Sequence, residues 1–207
     1  MLFSTPSAQT IGEIRDWNAL CSAATFTEQR EAEKLLQVGV ALPAYVGQRL
    51  AFCTVTELRK YFDASRAEID LSSVLYMVAA TEARIRFDAT SRASGSSTDP
   101  LGKALGILYG ARQTAWSVPL RDNGILEAWK TYARMHLTQS AQIDTCVDGI
   151  GNWASALDIR HWVAHGRYWQ LTRRITSSTV ADIATATDSL VRSLQELARI
   201  GGLRPFA

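Results

Sequence analysis

"DLSSVLYMVAATEARIRFDATSR", residues 70–92, decides the fold class. Its apolar positions Leu71, Leu75, Val78, Ile85 and Ala89 recur every three or four residues, the period of one helix face. Asp70 has the chemistry of an N-cap and would open the helix there. The stripe is interrupted once, at Glu82, which places a carboxylate where the spacing calls for a core residue. A carboxylate on a buried face needs a cation or donors beside it, because an unpaired buried charge is costly. Arg86, at i+4 on the same helix, could supply a local pair. Arg160 and His161, on a later helix, are the distant candidates.

Helical period extends in both directions from this stretch. Upstream, Thr25 would cap "FTEQREAEKLLQVGVAL" (26–42), with Leu35, Val38 and Leu42 on one face and Pro43 closing it. A further helical stretch covers residues 44–62, with a break near Thr54. Downstream, "ASGSSTDP" (93–100) reads as a loop ending in an Asp-Pro helix start, followed by a short helix over 101–112. Asn123 would cap 124–138. Ser140 would open one helix running to a glycine stop at Gly166, with Val147, Ile150, Ala154, Leu157, His161 and Ala164 along its stripe. Thr179 would cap the last helix, with Ile183, Leu190, Leu194 and Leu197 inward and Gly201-Gly202 ending it. No alternating strand pattern stands out; "RYWQLTRRI" (167–175) reads as a short strand or an irregular connection. The expected architecture is an all-α bundle of about six to eight helices, with 1–65 as an N-terminal helical extension packed on the same domain and 66–207 as the principal bundle.

Composition sets the boundaries. Of 207 residues, 47% are hydrophobic, enough for a true core. A net charge of +2 gives no global reason for nucleic-acid binding, so any basic surface must be local. Cys21, Cys53 and Cys146 are odd in number and scattered, fitting buried thiols in a reducing compartment rather than disulfides or a CxxC site. The N-terminal stretch lacks a secretory pattern, and the longest apolar run, "VLYMVAA" (74–80), is too short for a bilayer. A soluble cytoplasmic protein without membrane contact is expected.

The chemistry concentrates in "RHWVAHGRYW", residues 160–169, which holds two of the chain's three histidines. Three readings fit it. His161 and His165, at i and i+4, share a helix face, as in a zinc-binding HExxH helix; Asp158 would be a third ligand, but Trp162 stands where that motif has its glutamate. Alternatively, His161 continues the apolar stripe and is a packed core histidine, with Trp162, Tyr168 and Trp169 anchoring a helix end. The third reading is acid–base chemistry on a phosphodiester. Arginine matches phosphate with a planar fork, and histidine moves protons near neutrality. Arg160 and His165 lie about 140° apart around a regular helix. A helix end near Gly166 or a second subunit would have to bring them together. Arg167, Arg173 and Arg174 alternate nearby with Tyr168 and Trp169, a composition suited to single-stranded RNA.

"RHWVAH" resembles the R-x4-6-H motif of the HEPN superfamily. His161 occupies the polar position after the arginine, and "AHG" (164–166) is similar to the ending seen in many members. "TEARIRFDA" (81–89) looks like the earlier HEPN helix that supplies a polar partner to the motif. The resemblance covers residues 70 to 200. It implies a HEPN-like helical bundle with extra N-terminal helices that forms a homodimer with a composite active site. It implies a metal-independent endoribonuclease without cofactor, acting through the ribose 2′-OH in a toxin–antitoxin or anti-phage role. An antitoxin or regulatory protein would be a partner. Arg160 and His165 would be catalytic, His161 and Glu82 supporting, and Arg167, Tyr168, Trp169, Arg173 and Arg174 would bind substrate. Some family toxins carry a modifiable tyrosine two residues after the motif histidine; here Arg167 stands there, with Tyr168 one step later. Other members bind nucleotide, RNA or a partner protein without catalysis, which is the alternative function.

Overall fold

The computed structural model describes residues 10–43, 46, 50, 52–95, 99–110, 114, 116–164 and 178–206. These residues are all-helical, and no strand occurs among them. The helices are α1 (Ile11–Gln37), α2 (Val55–Ala93), α3 (Pro100–Tyr109), α4 (Ile125–His136), α5 (Ser140–Ala154), α6 (Ala156–Ala164) and α7 (Val180–Ile200). The chain divides into two compact units, Met1–Val74 and Leu75–Ala207, and α2 runs through the boundary.

In the first unit, α1 starts fifteen residues before the Thr25 cap that the sequence suggests. Thr10 is the N-cap, in a reciprocal box with Glu13. Thr25 lies inside the helix, its hydroxyl donating back to the Cys21 carbonyl at 2.8 Å. That local bond removes the reason for Thr25 to interrupt the helix. The break expected near Thr54 is the start of α2: the Thr54 hydroxyl accepts from the Glu57 backbone, and Glu57 reaches back to the Thr54 N–H at 2.8 Å. Asp70 is therefore mid-helix rather than a cap, and accepts from Asn18 Nδ2 at 2.9 Å. Ala32, Val46, Leu50, Leu58 and Phe62 form the buried cluster of this unit. On its surface, Arg59 grips Glu33 through two hydrogen bonds, of 2.9 and 3.0 Å, and Gln29 adds a third of 2.8 Å. The Arg59 contact leads in lowering the Glu33 pKa to about 2.

In the second unit, the part of α2 carrying Val78, Glu82, Ile85 and Ala89 is buried. Asp99 caps α3 with Pro100 at its first position, and Gly110 ends it. The cap expected from Asn123 is absent: Gly124 precedes α4 without a side-chain bond, while Asp122 and Asn123 take positive φ values of 36° and 60°. Gly124 is required by close approach, since a Cβ there would lie 1.9 Å from the Pro119 carbonyl oxygen. Thr179 caps α7 as expected, and Ile183, Leu190, Leu194 and Leu197 all face inward. Helix α5 packs against α4 and α7.

One difference governs the candidate site. The single helix expected from Ser140 to Gly166 is divided at Ser155 into α5 and α6. The Asp158 N–H bonds to the Ser155 carbonyl, three residues back, which tightens the turn. The buried stripe proceeds in steps of three, through Ile150, Trp153, Ala156 and Ile159. It does not follow Ala154, Leu157 and His161. His161 is exposed, which overturns its reading as a packed core histidine.

Candidate functional site

Glu82 and Arg160 meet in the second unit. Glu82 comes from the buried face of α2 and is 3% exposed. Arg160 comes from α6, where Ile159 points into the core and leaves the adjacent arginine at the margin, its side chain 33% exposed. Arg160 Nε lies 3.1 Å from Glu82 Oε2. This is an electrostatic contact without hydrogen-bond geometry, so Glu82 Oε2 is a buried acceptor with no hydrogen bond. The other carboxylate oxygen accepts from Arg86 Nε at 2.8 Å. Two of the three partners weighed for Glu82, the local Arg86 and the distant Arg160, are therefore present at once.

Arg86 is itself nearly buried, at 8%, although a solvated position is the ordinary expectation for an arginine one turn along α2. Its Nη1 donates to the Val118 carbonyl at 2.8 Å, and its guanidinium sits 4.7 Å from the centre of the Trp116 ring. The segment 116–124 thus supplies a carbonyl and an aromatic face to the same carboxylate cluster. Further along it, Arg121 donates to Asp158 of α6 at 2.7 Å. Asp158, the carboxylate considered as a third metal ligand, is paired there with a cation. Arg121 Nε and Nη2 are buried without hydrogen bonds. In these pairs Arg86 and Arg160 share Glu82, and Arg121 is paired with Asp158.

His161 lies next to Arg160 in the last turn of α6 and has contacts of its own. His136 is distant in role, stacked on Tyr132 with ring centroids 4.1 Å apart. No group of three or more metal-ligating side chains occurs among the described residues. His165, Arg167, Tyr168, Trp169, Arg173 and Arg174 lie outside the described residues. So does the expected convergence of Arg160 with His165. Cys146 is buried, Cys21 and Cys53 half-buried, and all are free thiols. Burial pushes the Cys146 thiol pKa upward, which leaves it less reactive at neutral pH. No helix among the described residues is long and apolar enough to cross a membrane.

Sequence reasoning missed Trp116, Val118 and Arg121. Their segment lies between helices and carries no period, so nothing in it announces a contact with Glu82 or α6. The i, i+4 spacing of Glu82 and Arg86 was the one visible signal. Comparison with protein-family models, curated proteins and solved structures finds no match.

Proposed function

We propose that the chain is a metal-independent endoribonuclease of HEPN type that cleaves RNA through attack of a ribose 2′-OH, in a toxin–antitoxin or anti-phage role. The observation that carries this reading is the pairing of Arg160 with a buried carboxylate. Glu82 Oε2 lies 3.1 Å from the guanidinium at Nε, and the Arg160 side chain is one-third exposed. A partly exposed guanidinium held at Nε can present its planar fork to a phosphate. Because two arginines share Glu82, the carboxylate orients Arg160 without cancelling the cluster's positive charge.

In this mechanism Arg160 binds the scissile phosphate and stabilises the charge that builds as the 2′-oxygen attacks phosphorus. The 2′-O–P bond forms, the P–O5′ bond breaks, and the products are a 2′,3′-cyclic phosphate and a 5′-hydroxyl. One histidine accepts the 2′-OH proton and another group protonates the departing 5′-oxygen. His165 takes one of these roles, and its counterpart in a second copy of the chain takes the other. His161 supports the site beside Arg160.

The test is incubation of purified protein with total RNA in excess EDTA, alongside Arg160→Ala and His165→Ala. Cleavage by the wild type alone, with cyclic-phosphate ends, is the expected result. Equal cleavage by all three proteins overturns the assignment, as does activity that EDTA abolishes and zinc restores. RNA binding without cleavage would favour the non-catalytic module.

A further inference from the structure

We infer that Trp116 is a stacking platform for a nucleobase of single-stranded RNA, next to the phosphate held by Arg160. The inference rests on the ribonuclease reading and extends it to a residue outside the motif.

Trp116 is 59% exposed, a large apolar surface for a side chain inside a polar cluster. It is nevertheless held in place. The guanidinium of Arg86 lies 4.7 Å from its ring centroid, a distance at which the cation is attracted by the ring's π face. Arg86 is fixed in turn by Glu82 at 2.8 Å and by the Val118 carbonyl at 2.8 Å. One side of the ring is therefore backed by a buried, doubly anchored cation while more than half of the residue's surface is open to water. An exposed indole ordered before ligand arrives loses little freedom on stacking.

The same carboxylate that fixes Arg86 also contacts Arg160. Trp116 lies against Arg86, and Arg160 lies against the carboxylate to which Arg86 is bonded, one offering an aromatic surface and the other a cationic fork. Single-stranded nucleic acid needs this combination: a base stacks on an aromatic ring while a backbone phosphate meets a guanidinium. Stacking accepts any base, so Trp116 contributes affinity and register along the strand rather than sequence preference.

The test uses a fluorescein-labelled single-stranded 2′-O-methyl RNA, which binds but cannot be cleaved, and the same oligonucleotide with abasic positions. Binding is followed by fluorescence anisotropy for the wild type, Trp116→Ala and Trp116→Phe. Cleavage of unmodified RNA is measured in parallel for these proteins and for Arg160→Ala. Trp116→Ala should weaken binding roughly 5- to 150-fold, the range for one stacked base, and Trp116→Phe should retain most of it. The wild type should prefer the base-bearing strand over the abasic one, a result that does not depend on any variant folding. Wild-type affinity for both strands being equal, or Trp116→Ala binding unchanged while Arg160→Ala loses cleavage, overturns the platform and leaves the ribonuclease standing. Trp116-dependent binding without cleavage by the wild type supports the platform and removes the ribonuclease. Absence of any RNA binding overturns both.

Discussion

Helix α2 carries two buried acid–arginine pairs with the same i, i+4 spacing, Asp88–Arg92 and Glu82–Arg86, and they end in different environments. Arg92 is sealed. Its Nε donates to Asp88 at 2.7 Å, Nη1 to Asp99 at 3.2 Å, and Nη2 to the Arg204 carbonyl at 2.6 Å. Its planar face covers Trp129 at 5.0 Å. Every nitrogen has an acceptor, and the result joins α2 to the cap of α3 and to the C-terminal segment. The Glu82 pair is incomplete: one carboxylate oxygen has no hydrogen bond, the second cation, Arg160, is one-third exposed, and the Arg86 guanidinium lies against an exposed indole. The same i, i+4 acid–arginine pairing thus serves as a structural clasp at one position and as a support for exposed groups six residues earlier. The difference lies in what other elements bring to each pair.

The comparison can be broken by removing one partner from each pair. Arg92→Ala removes the nearer cation of buried Asp88, leaving Arg204 at 3.9 Å, and frees the C-terminal segment. It should cost about 3–5 kcal/mol, the loss seen when a buried pair is broken on one side, read as a lower urea midpoint. Cleavage per folded molecule should be unchanged. Glu82→Gln should cost less, about 1–3 kcal/mol, because Arg86 keeps Val118 and Trp116 and Arg160 can turn to water. Its larger effect should be on RNA cleavage, which should fall by up to roughly a hundredfold as the Arg160 fork loses its orientation. A decline in stability with cleavage intact would show that Glu82 is a second clasp. The two pairs are six residues apart, about 9 Å along the axis, so the stability losses in the double variant should add to within about 0.5 kcal/mol. A larger discrepancy would mean that they form one network.

A third substitution reaches the incomplete pair through its backbone. Gly124→Ala places a Cβ 1.9 Å from the Pro119 oxygen. It should shift the segment carrying Val118 and Trp116 at a cost of about 1–3 kcal/mol. Thermal melting and RNA binding should both fall, and binding that survives a lower melting temperature would separate the segment from the site.

The smallest effect concerns an exposed pair in the first unit, a reference for both buried ones. Glu33 has a folded pKa of about 2 against an ordinary 4.5. A depressed pKa means that its contribution is fully present above pH 4.5 and is lost as pH falls toward 2. Wild type and Glu33→Gln should therefore differ slightly in urea midpoint at pH 6 and converge near pH 2. A gap that persists at low pH would assign the effect to packing.

Much of the candidate site was legible because two of its members break a pattern. Glu82 interrupts an apolar stripe, and a carboxylate in that position demands a cation; Arg86 was one turn away and Arg160 stood in the densest polar stretch of the chain. His161 was misplaced by the same method. A stripe drawn at 3.6 residues per turn through residues 150, 154, 157 and 161 ignores a local tightening, and Ser155 moves the buried face to 153, 156 and 159. Thr25 and Asp70 were read as caps because their side chains suit that role, yet each found a hydrogen bond inside or across a helix instead.

The helical class, the cap of α7 and its inward face, and the anomaly at Glu82 are written in the order of the residues. All of these arise from interactions between residues within a few positions of one another, so their signals are local. Folding in three dimensions is what brings Arg160 to Glu82, Val118 and Trp116 to Arg86, and the C-terminal segment to Arg92. Those contacts join residues from 30 to 113 positions apart, and their energetics depend on which groups are excluded from water together. Hydrophobic period records which face is buried, and it carries no record of which distant polar group will be buried beside it.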